Sequence, residues 1–159
     1  MATRVARGMS LEAGLGFRIG RAHRLLRPLW EEAIADLGLS VPQAALLRAV
    51  AQWPGCGLRE LARRTGTDAM NAKRLADHLE CAGRLVSESD PGHRQRRVLR
   101  PTPEGAELAR ELVRRAQAHQ RRLEDIVGEA EVTALLGLLD RLESALTAVS
   151  SEAGGAMMS

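Results

Sequence analysis

The sequence predicts a mainly α-helical protein with a small β wing, in which a winged helix-turn-helix head joins long N- and C-terminal dimerisation helices. Three observations predict this fold class: two short helical segments around a turn at 65–68, an arginine-rich hairpin at 85–100, and apolar stripes near both ends. We place the helical dimerisation region at 10–38 and 103–150, the head at 39–102, and a disordered tail at 150–159.

The composition is that of a soluble globular protein. A chain of 159 residues, 45% hydrophobic and 27% charged, can bury a core and is too apolar for disorder. Its start lacks the apolar segment of a signal peptide, and no stretch is apolar enough to span a bilayer, so we expect a cytoplasmic protein. Cys56 and Cys81 are too few for a disulfide framework and are expected as reduced thiols.

Two helices are predicted before the helix-turn-helix. The first covers about residues 10–37, with a kink or a restart at Pro28, because proline lacks the amide hydrogen of a helix interior. Its apolar stripe consists of Leu15, Ile19, Ala22, Leu26, Leu29, Ala33 and Leu37. A loop follows at 38–42, and Pro42 suits the first turn of a second helix that runs to about Trp53.

The helix-turn-helix comes next. Leu58, Leu61 and Ala62 give its first helix an apolar edge, and Asp68 is placed to cap the second. The predicted buried face of the second helix consists of Ala72, Leu75, Ala76, Leu79 and Ala82, ahead of a stop at Gly83.

The opposite face of this second helix carries polar and basic side chains. At about 100° per residue, Lys73 and Arg74 point away from the core together with Met70, while Asn71 lies on one shoulder. Asn, Lys and Arg near a helix N-terminus suit base edges and phosphates in a major groove. We therefore predict a DNA-binding face of Met70, Asn71, Lys73 and Arg74.

The hairpin adds a second basic element. Leu85 and Val86 begin one strand, residues 90–92 form a turn, and the returning strand is crowded by Arg94, Arg96, Arg97 and Arg100. Residues 59–100 hold ten Lys or Arg against six Asp or Glu, whereas the remainder holds thirteen against fourteen. Such a patch fits phosphate neutralisation, with Arg94, Arg96 and Arg97 as contacts, although a solvated charged surface is the alternative.

Two long helices end the chain. Thr102 is the expected N-cap of the first, with Pro103 at its first helical position, and Gly128 is its expected end. The last helix carries a near-heptad seam of Val132, Leu135, Leu139, Leu142, Leu146 and Val149. An intramolecular core is one use of this seam. We favour an intertwined homodimer, because both terminal stripes exceed what the head can cover.

These elements together resemble the MarR (multiple-antibiotic-resistance regulator) family of dimeric winged-helix repressors. The resemblance rests on LSVPQAALL at 39–47, LRELARRTG at 58–66, RLADHLECAGRLV at 74–86, DPGHR at 90–94 and TPEG at 102–105, and it covers about residues 10–150. It implies a DNA-binding transcription regulator that binds a pseudo-palindromic operator as a homodimer. The wing departs from the family pattern: His93 replaces its second Asp, Gln95 its Arg, and Pro101 the usual Leu.

The resemblance also implies a small anionic or aromatic effector, bound between the dimerisation helices and the head. The candidate residues are His23, Arg27, Trp30 and Trp53: cations for a carboxylate and indoles for stacking. The alternative is that both tryptophans are core anchors and Arg27 is a surface residue.

Enzymatic chemistry is not indicated. We find no phosphate loop, catalytic triad or metal-ligand spacing, so we expect no cofactor and no metal, and His78 with Cys81 is an incomplete metal motif. Redox sensing by Cys56 or Cys81 is the alternative to inert thiols, which we favour because the sequence shows no neighbouring group that would activate a thiolate. The resemblance thus implies a homodimeric repressor relieved by a small-molecule effector; the alternative is a winged-helix protein-interaction module without operator binding.

Overall fold

The computed structural model describes residues 14–90 and 92–156, without the side chains of 90, 93–97 and 150–156. The elements, in chain order, are α1 (Leu15–Ile34), a 3-10 turn (Ala35–Leu37), α2 (Val41–Gln52), α3 (Leu58–Arg64), α4 (Ala69–Cys81), β1 (Leu85–Asp90), β2 (His93–Pro101), α5 (Pro103–Val127) and α6 (Glu129–Ala156). Strands β1 and β2 form an antiparallel two-stranded sheet. This order confirms the predicted fold class.

Local hydrogen bonds explain why several helices begin where they do. Ser40 and Gln43 form a reciprocal capping box at the start of α2, with Ser40 N donating to Gln43 Oε1 at 2.8 Å. Asp68 Oδ1 accepts the Asn71 amide at 2.8 Å, and Thr102 Oγ1 accepts the Gly105 amide at 3.0 Å. The predicted caps of α4 and α5 are therefore confirmed.

The core lies where the helices of the head meet the wing. Its largest fully buried side chains are Ile34, Leu46, Leu47, Val50, Leu61, Leu79, Leu85 and Leu112. Leu99 of β2 belongs to the same cluster, which fixes the base of the hairpin against the helices. Burial of such side chains contributes about 1.5 to 3 kcal/mol each, so this cluster fixes α4 and the base of the hairpin relative to each other.

Three predictions about individual residues need correction. Helix α1 runs through Pro28 as one helix, which excludes a restart there, whereas the alternative of a kink stays a prediction; the helix ends at Ile34, where the chain tightens into the 3-10 turn. Ala82 is exposed rather than buried, because it is the C-cap of α4 and the chain leaves the helix there. Helix α6 extends to Ala156, past the start of the tail predicted at 150, since an established helix adds residues without a new nucleation step; residues 157–159 lie outside the described residues.

Two compact units divide the chain within α5, at residues 1–115 and 116–159. In the second unit the predicted seam of α6 is only partly covered: Val132 is buried and Leu139 and Leu142 are half-buried, whereas Leu135 and Leu146 are 53% and 56% exposed. Among the described residues no single helix has both the length and the apolar character to cross a membrane. The pair Leu15–Leu37 and Val41–Gln52 meets that test only jointly and is bent by 74°.

Candidate nucleic-acid interface

Helix α4 is fixed against the head by one face and leaves the other open. Ala72, Leu75, Ala76 and Leu79 are buried, as the sequence predicted. The turn before α4 is closed by Gly66, which adopts a left-handed φ of 66°, and by the Thr67 amide, which donates to the Ala62 carbonyl at 3.0 Å. These contacts set the direction in which the outer face of α4 points.

The outer face presents one apolar and several polar side chains. Met70, in the first turn, is 83% exposed. Lys73 forms an exposed ion pair with Asp77, with 2.8 Å between Nζ and Oδ2. Arg74 donates from NH2 to Asn71 Oδ1 at 2.8 Å. Met70, Lys73 and Arg74 therefore share the solvent side of α4, as predicted.

Asn71 is less exposed than its neighbours and is engaged on both ends of its amide. Its Nδ2 donates to Thr67 Oγ1 at 2.9 Å, and its Oδ1 accepts from Arg74. Its backbone amide is also bound by the cap, Asp68. Asn71 is therefore tied into the start of the helix rather than presented freely to solvent.

The hairpin carries the predicted basic wing. Ser89 pairs with Arg97, but Asp90 pairs with His93, so the intervening residues of β2, Arg94 and Arg96 among them, form a bulge near the tip. The side chains of Arg94, Arg96 and Arg97 lie outside the described residues. The backbone thus places Arg94 and Arg96 in the bulge and Arg97 at its border.

The base of the wing is anchored by contacts from several elements. Arg100 Nε donates to Glu88 Oε2 across the strands at 2.7 Å, and Val98 pairs with Gly57 in an isolated bridge ahead of α3. Thr102 closes the hairpin onto the end of α4: its hydroxyl donates to the Gly83 carbonyl at 2.7 Å and its amide to the Arg84 carbonyl at 3.0 Å. The wing is therefore positioned from its base.

Gly105 lies beside this junction, in the first turn of α5. A Cβ atom at this position would be 1.8 Å from the Arg84 carbonyl oxygen, closer than any real contact. Only glycine allows α5 to approach the end of α4 so closely. This residue belongs to the TPEG segment of the sequence, but its role depends on a neighbour distant in the chain.

Ion pairs lower the pKa of Glu60 in the head and of Asp36 in the 3-10 turn that precedes it. Hydrogen bonds, mainly from Arg63 and to a smaller extent from Arg64, hold the pKa of Glu60 below its usual range. A hydrogen bond from Arg115 likewise lowers the pKa of Asp36, with 2.8 Å between NH2 and Oδ2. Arg63, Arg64 and Arg115 therefore already pair with carboxylates of the protein, so not every arginine here is free to bind a phosphate.

The four candidate effector residues occupy different environments. His23 is exposed, and Arg27 is exposed and paired with Glu31 at 2.8 Å. Trp30 and Trp53 are half-buried and pack against the core cluster. The Trp53 ring is also faced by Arg64, whose Cζ lies 4.5 Å from the ring centroid, a cation–π contact. This packing agrees with the alternative in which both tryptophans anchor the core rather than line an effector site.

The cysteines and the histidines whose side chains the structure describes show no grouping of metal ligands. Cys56 is half-buried and Cys81 exposed, and both are free thiols. Within residues 14–90 and 92–156, no cluster of three or more His, Cys, Asp or Glu side chains could hold a metal ion.

Sequence reasoning missed three contacts around the site: the Thr67–Asn71 hydrogen bond, the Arg64–Trp53 contact and the close approach at Gly105. The first had a signal, because Thr67 and Asn71 are four residues apart and Asn71 and Arg74 three, which are the spacings of neighbours on a helix. The other two join residues that are distant in sequence, and no local pattern marks them.

Comparisons with known proteins agree with this architecture. The family model described as "MarR family" matches residues 39–95. The HTH-type transcriptional repressor Rv2887 of Mycobacterium tuberculosis is 30% identical over 131 residues, which cover 82% of this chain and 86% of the relative.

Two of the similar solved structures share 25% sequence identity with this chain. The transcriptional repressor CouR, bound to a 23-mer DNA duplex, has a TM-score of 0.78 and covers 89% of this chain and 99% of its own. The PcaV transcriptional regulator of Streptomyces coelicolor, in complex with its natural ligand, has a TM-score of 0.76 and covers 92% and 99%.

Proposed function

The chain belongs to the MarR family and acts as a DNA-binding transcription regulator, and we propose that it is a homodimeric repressor released from its operator by a small-molecule effector. The observation that carries the proposal is the open face of α4. Its exposed Met70, Lys73 and Arg74 stand opposite a fully buried face, on a helix that is anchored beside a basic hairpin. This is the arrangement of a recognition helix and a wing.

The residue types suggest separate tasks on the duplex. Arg74 can donate two parallel N–H bonds to the O6 and N7 atoms of guanine, and Met70 can contact a thymine methyl group. Lys73 suits a phosphate once it leaves Asp77. The wing residues Arg94, Arg96 and Arg97 suit the backbone or minor groove, where charge rather than hydrogen-bond pattern determines binding.

Dimerisation is proposed from the uncovered apolar surface of the terminal helices. In α1, Leu15 is 62% exposed, and in α6 Leu146 and Val149 are 56% and 62% exposed. Exposed apolar stripes of this length are unusual in a monomer. A second copy of the chain would cover them, and its two heads would then require half-sites about one helical turn apart on the DNA.

An effector that relieves repression is supported by the relatives. The similar PcaV structure holds its natural ligand, and the mycobacterial relative is named a repressor. We propose a small anionic or aromatic compound that uses His23 and Arg27, with the half-buried Trp30 and Trp53 as the candidates for stacking. Because the family comprises transcription regulators, we further propose that the chain is cytoplasmic and has no enzymatic activity.

Salt-dependent binding to short duplex DNA tests the proposal. In an anisotropy titration, the logarithm of the binding constant should fall linearly with the logarithm of the salt concentration, with a slope of about 0.9 per neutralised phosphate. Competition by hydroxybenzoates, as probes for the effector class, should release the duplex. No duplex binding at any salt concentration would refute the operator function and favour a winged helix used for protein contact.

A further inference from the structure

The side-chain amide of Asn71 links the turn before α4 to an arginine on its outer face. Thr67 Oγ1 accepts from Asn71 Nδ2 at 2.9 Å, and Asn71 Oδ1 accepts from Arg74 NH2 at 2.8 Å. The three residues thus form a chain of two hydrogen bonds that begins at the turn and ends at the guanidinium.

The donors and acceptors of the three side chains fix the direction of both hydrogen bonds. A guanidinium group has five N–H donors and no acceptor, so Asn71 must turn its carbonyl oxygen toward Arg74 and its NH2 group toward Thr67. A direct contact from Asn71 to adenine would need the same oxygen and NH2 group at the base edge. The two bonds leave one N–H and one lone pair of the amide, but they fix its orientation, and Asn71 is half-buried whereas Arg74 is exposed. Arg74 is therefore better placed than Asn71 to read a base.

Arg74 keeps enough N–H donors to read a base. A single N–H is spent on Asn71, and the remaining donors still allow two parallel bonds to guanine. An arginine held in one orientation loses less side-chain freedom on binding than a free one. Lys73 differs, because its partner Asp77 is acidic and attracts it away from the phosphates.

We propose that Arg74 reads a guanine in each half-site and that Asn71, held by Thr67, is a positioning residue that orients Arg74. This inference rests on the proposed operator function. It adds the base that is recognised, guanine, and separate roles on α4 for Arg74, which contacts the base, and Asn71, which orients Arg74. Asn71 then contributes to specificity only through Arg74.

The test uses the full-length protein and a pool of duplexes with a randomised central segment, from which bound sequences are selected and counted. Thr67→Val removes the hydroxyl at nearly constant volume, and Thr67→Ser is its matched control, because it keeps the hydroxyl. Asn71→Ala, Arg74→Ala and the double variant complete the set. Thermal unfolding of each variant verifies folding, and the salt dependence of binding to random duplex reports phosphate contacts.

Wild-type protein should enrich guanine at one position of each half-site, and Arg74→Ala should reduce that preference by roughly ten- to a hundred-fold. Asn71→Ala and Thr67→Val should reduce it by roughly two- to ten-fold, with the salt slope unchanged, and Thr67→Ser should retain it. Adding Asn71→Ala to Arg74→Ala should cause no further loss.

Distinct outcomes would overturn the inference. A further loss in the double variant, or a lost adenine preference in Asn71→Ala, would show that Asn71 reads the DNA itself. Equal weakening of all duplexes by Arg74→Ala would make Arg74 a phosphate contact, and unchanged specificity in Thr67→Val would remove Thr67 from the chain. Wild-type protein that binds no duplex would instead refute the proposed function, and with it this inference.

Discussion

Replacing Gly105 with alanine is a direct test of how α5 is joined to the head. The new Cβ would lie 1.8 Å from the Arg84 carbonyl oxygen and 2.8 Å from its carbon, whereas real Cβ contacts stay beyond 3.0 Å. The carbonyl or the helix must therefore shift by more than about 1 Å, an overpacking that typically costs about 1 to 3 kcal/mol. That shift also strains the hydrogen bond that the same oxygen accepts from the Thr102 amide.

Two further contributions set the net effect of Gly105→Ala. Weakening the Thr102 hydrogen bond costs about 1 kcal/mol, and the higher helix propensity of alanine returns about 1 kcal/mol. The net loss of about 1 to 3 kcal/mol should lower the Tm by roughly 2 to 12 °C for a chain of this size. Differential scanning calorimetry at several protein concentrations, with urea unfolding beside it, measures both quantities.

Gly16→Ala is the matched control for this experiment. It makes the same change in a helix, at a position with nothing within 4 Å of the new Cβ. Its propensity gain should therefore raise stability by about 0.5 to 1 kcal/mol. If Gly105→Ala also raised the Tm, α5 would not approach Arg84 closely, and the account of the junction would be wrong.

Three further predictions concern assembly, the wing and acid stability. Leu142→Asp should convert a dimer at micromolar concentration into monomer or unfolded chain, because an unpaired charge is costly in an apolar interface; sedimentation that shows wild-type monomer would contradict this. Replacing both Arg94 and Arg96 with alanine should weaken binding to specific and random duplexes alike and reduce the salt slope by about one to two phosphates per head; an unchanged slope would mean that the wing does not touch DNA. Arg115 lowers the pKa of Asp36 in the folded state. The ion pair therefore stabilises the fold fully at a pH above the pKa of Asp36 in the unfolded chain, and this stabilisation is lost as the pH falls through the pKa of Asp36 in the folded protein. Asp36→Asn should therefore lower the Tm at neutral pH, and the difference from wild type should close below about pH 4; a difference independent of pH would exclude the ion pair as its cause.

The amino-acid sequence alone determined the order and the ends of most elements. Asp68 and Thr102 cap their helices as predicted, because a cap is a hydrogen bond between residues three positions apart. The buried face of α4 followed equally from spacing, with Ala82 as the exception at the helix end. Such local interactions depend on little beyond the neighbouring residues, so a pattern in the sequence suffices to predict them.

Only the tertiary structure decided what the predicted site residues touch. Spacing placed Asn71, Lys73 and Arg74 on one side of α4, but the side-chain contacts show that Asn71 bonds to Thr67 and Arg74, and Lys73 to Asp77. The close approach of Gly105 to Arg84 depends on how the chain returns through the hairpin. Local periodicity fixes which face a side chain occupies and which residues three or four positions away it can reach. Which of these it binds depends on its rotamer, and a contact such as that of Gly105 with Arg84 joins segments that only folding brings together.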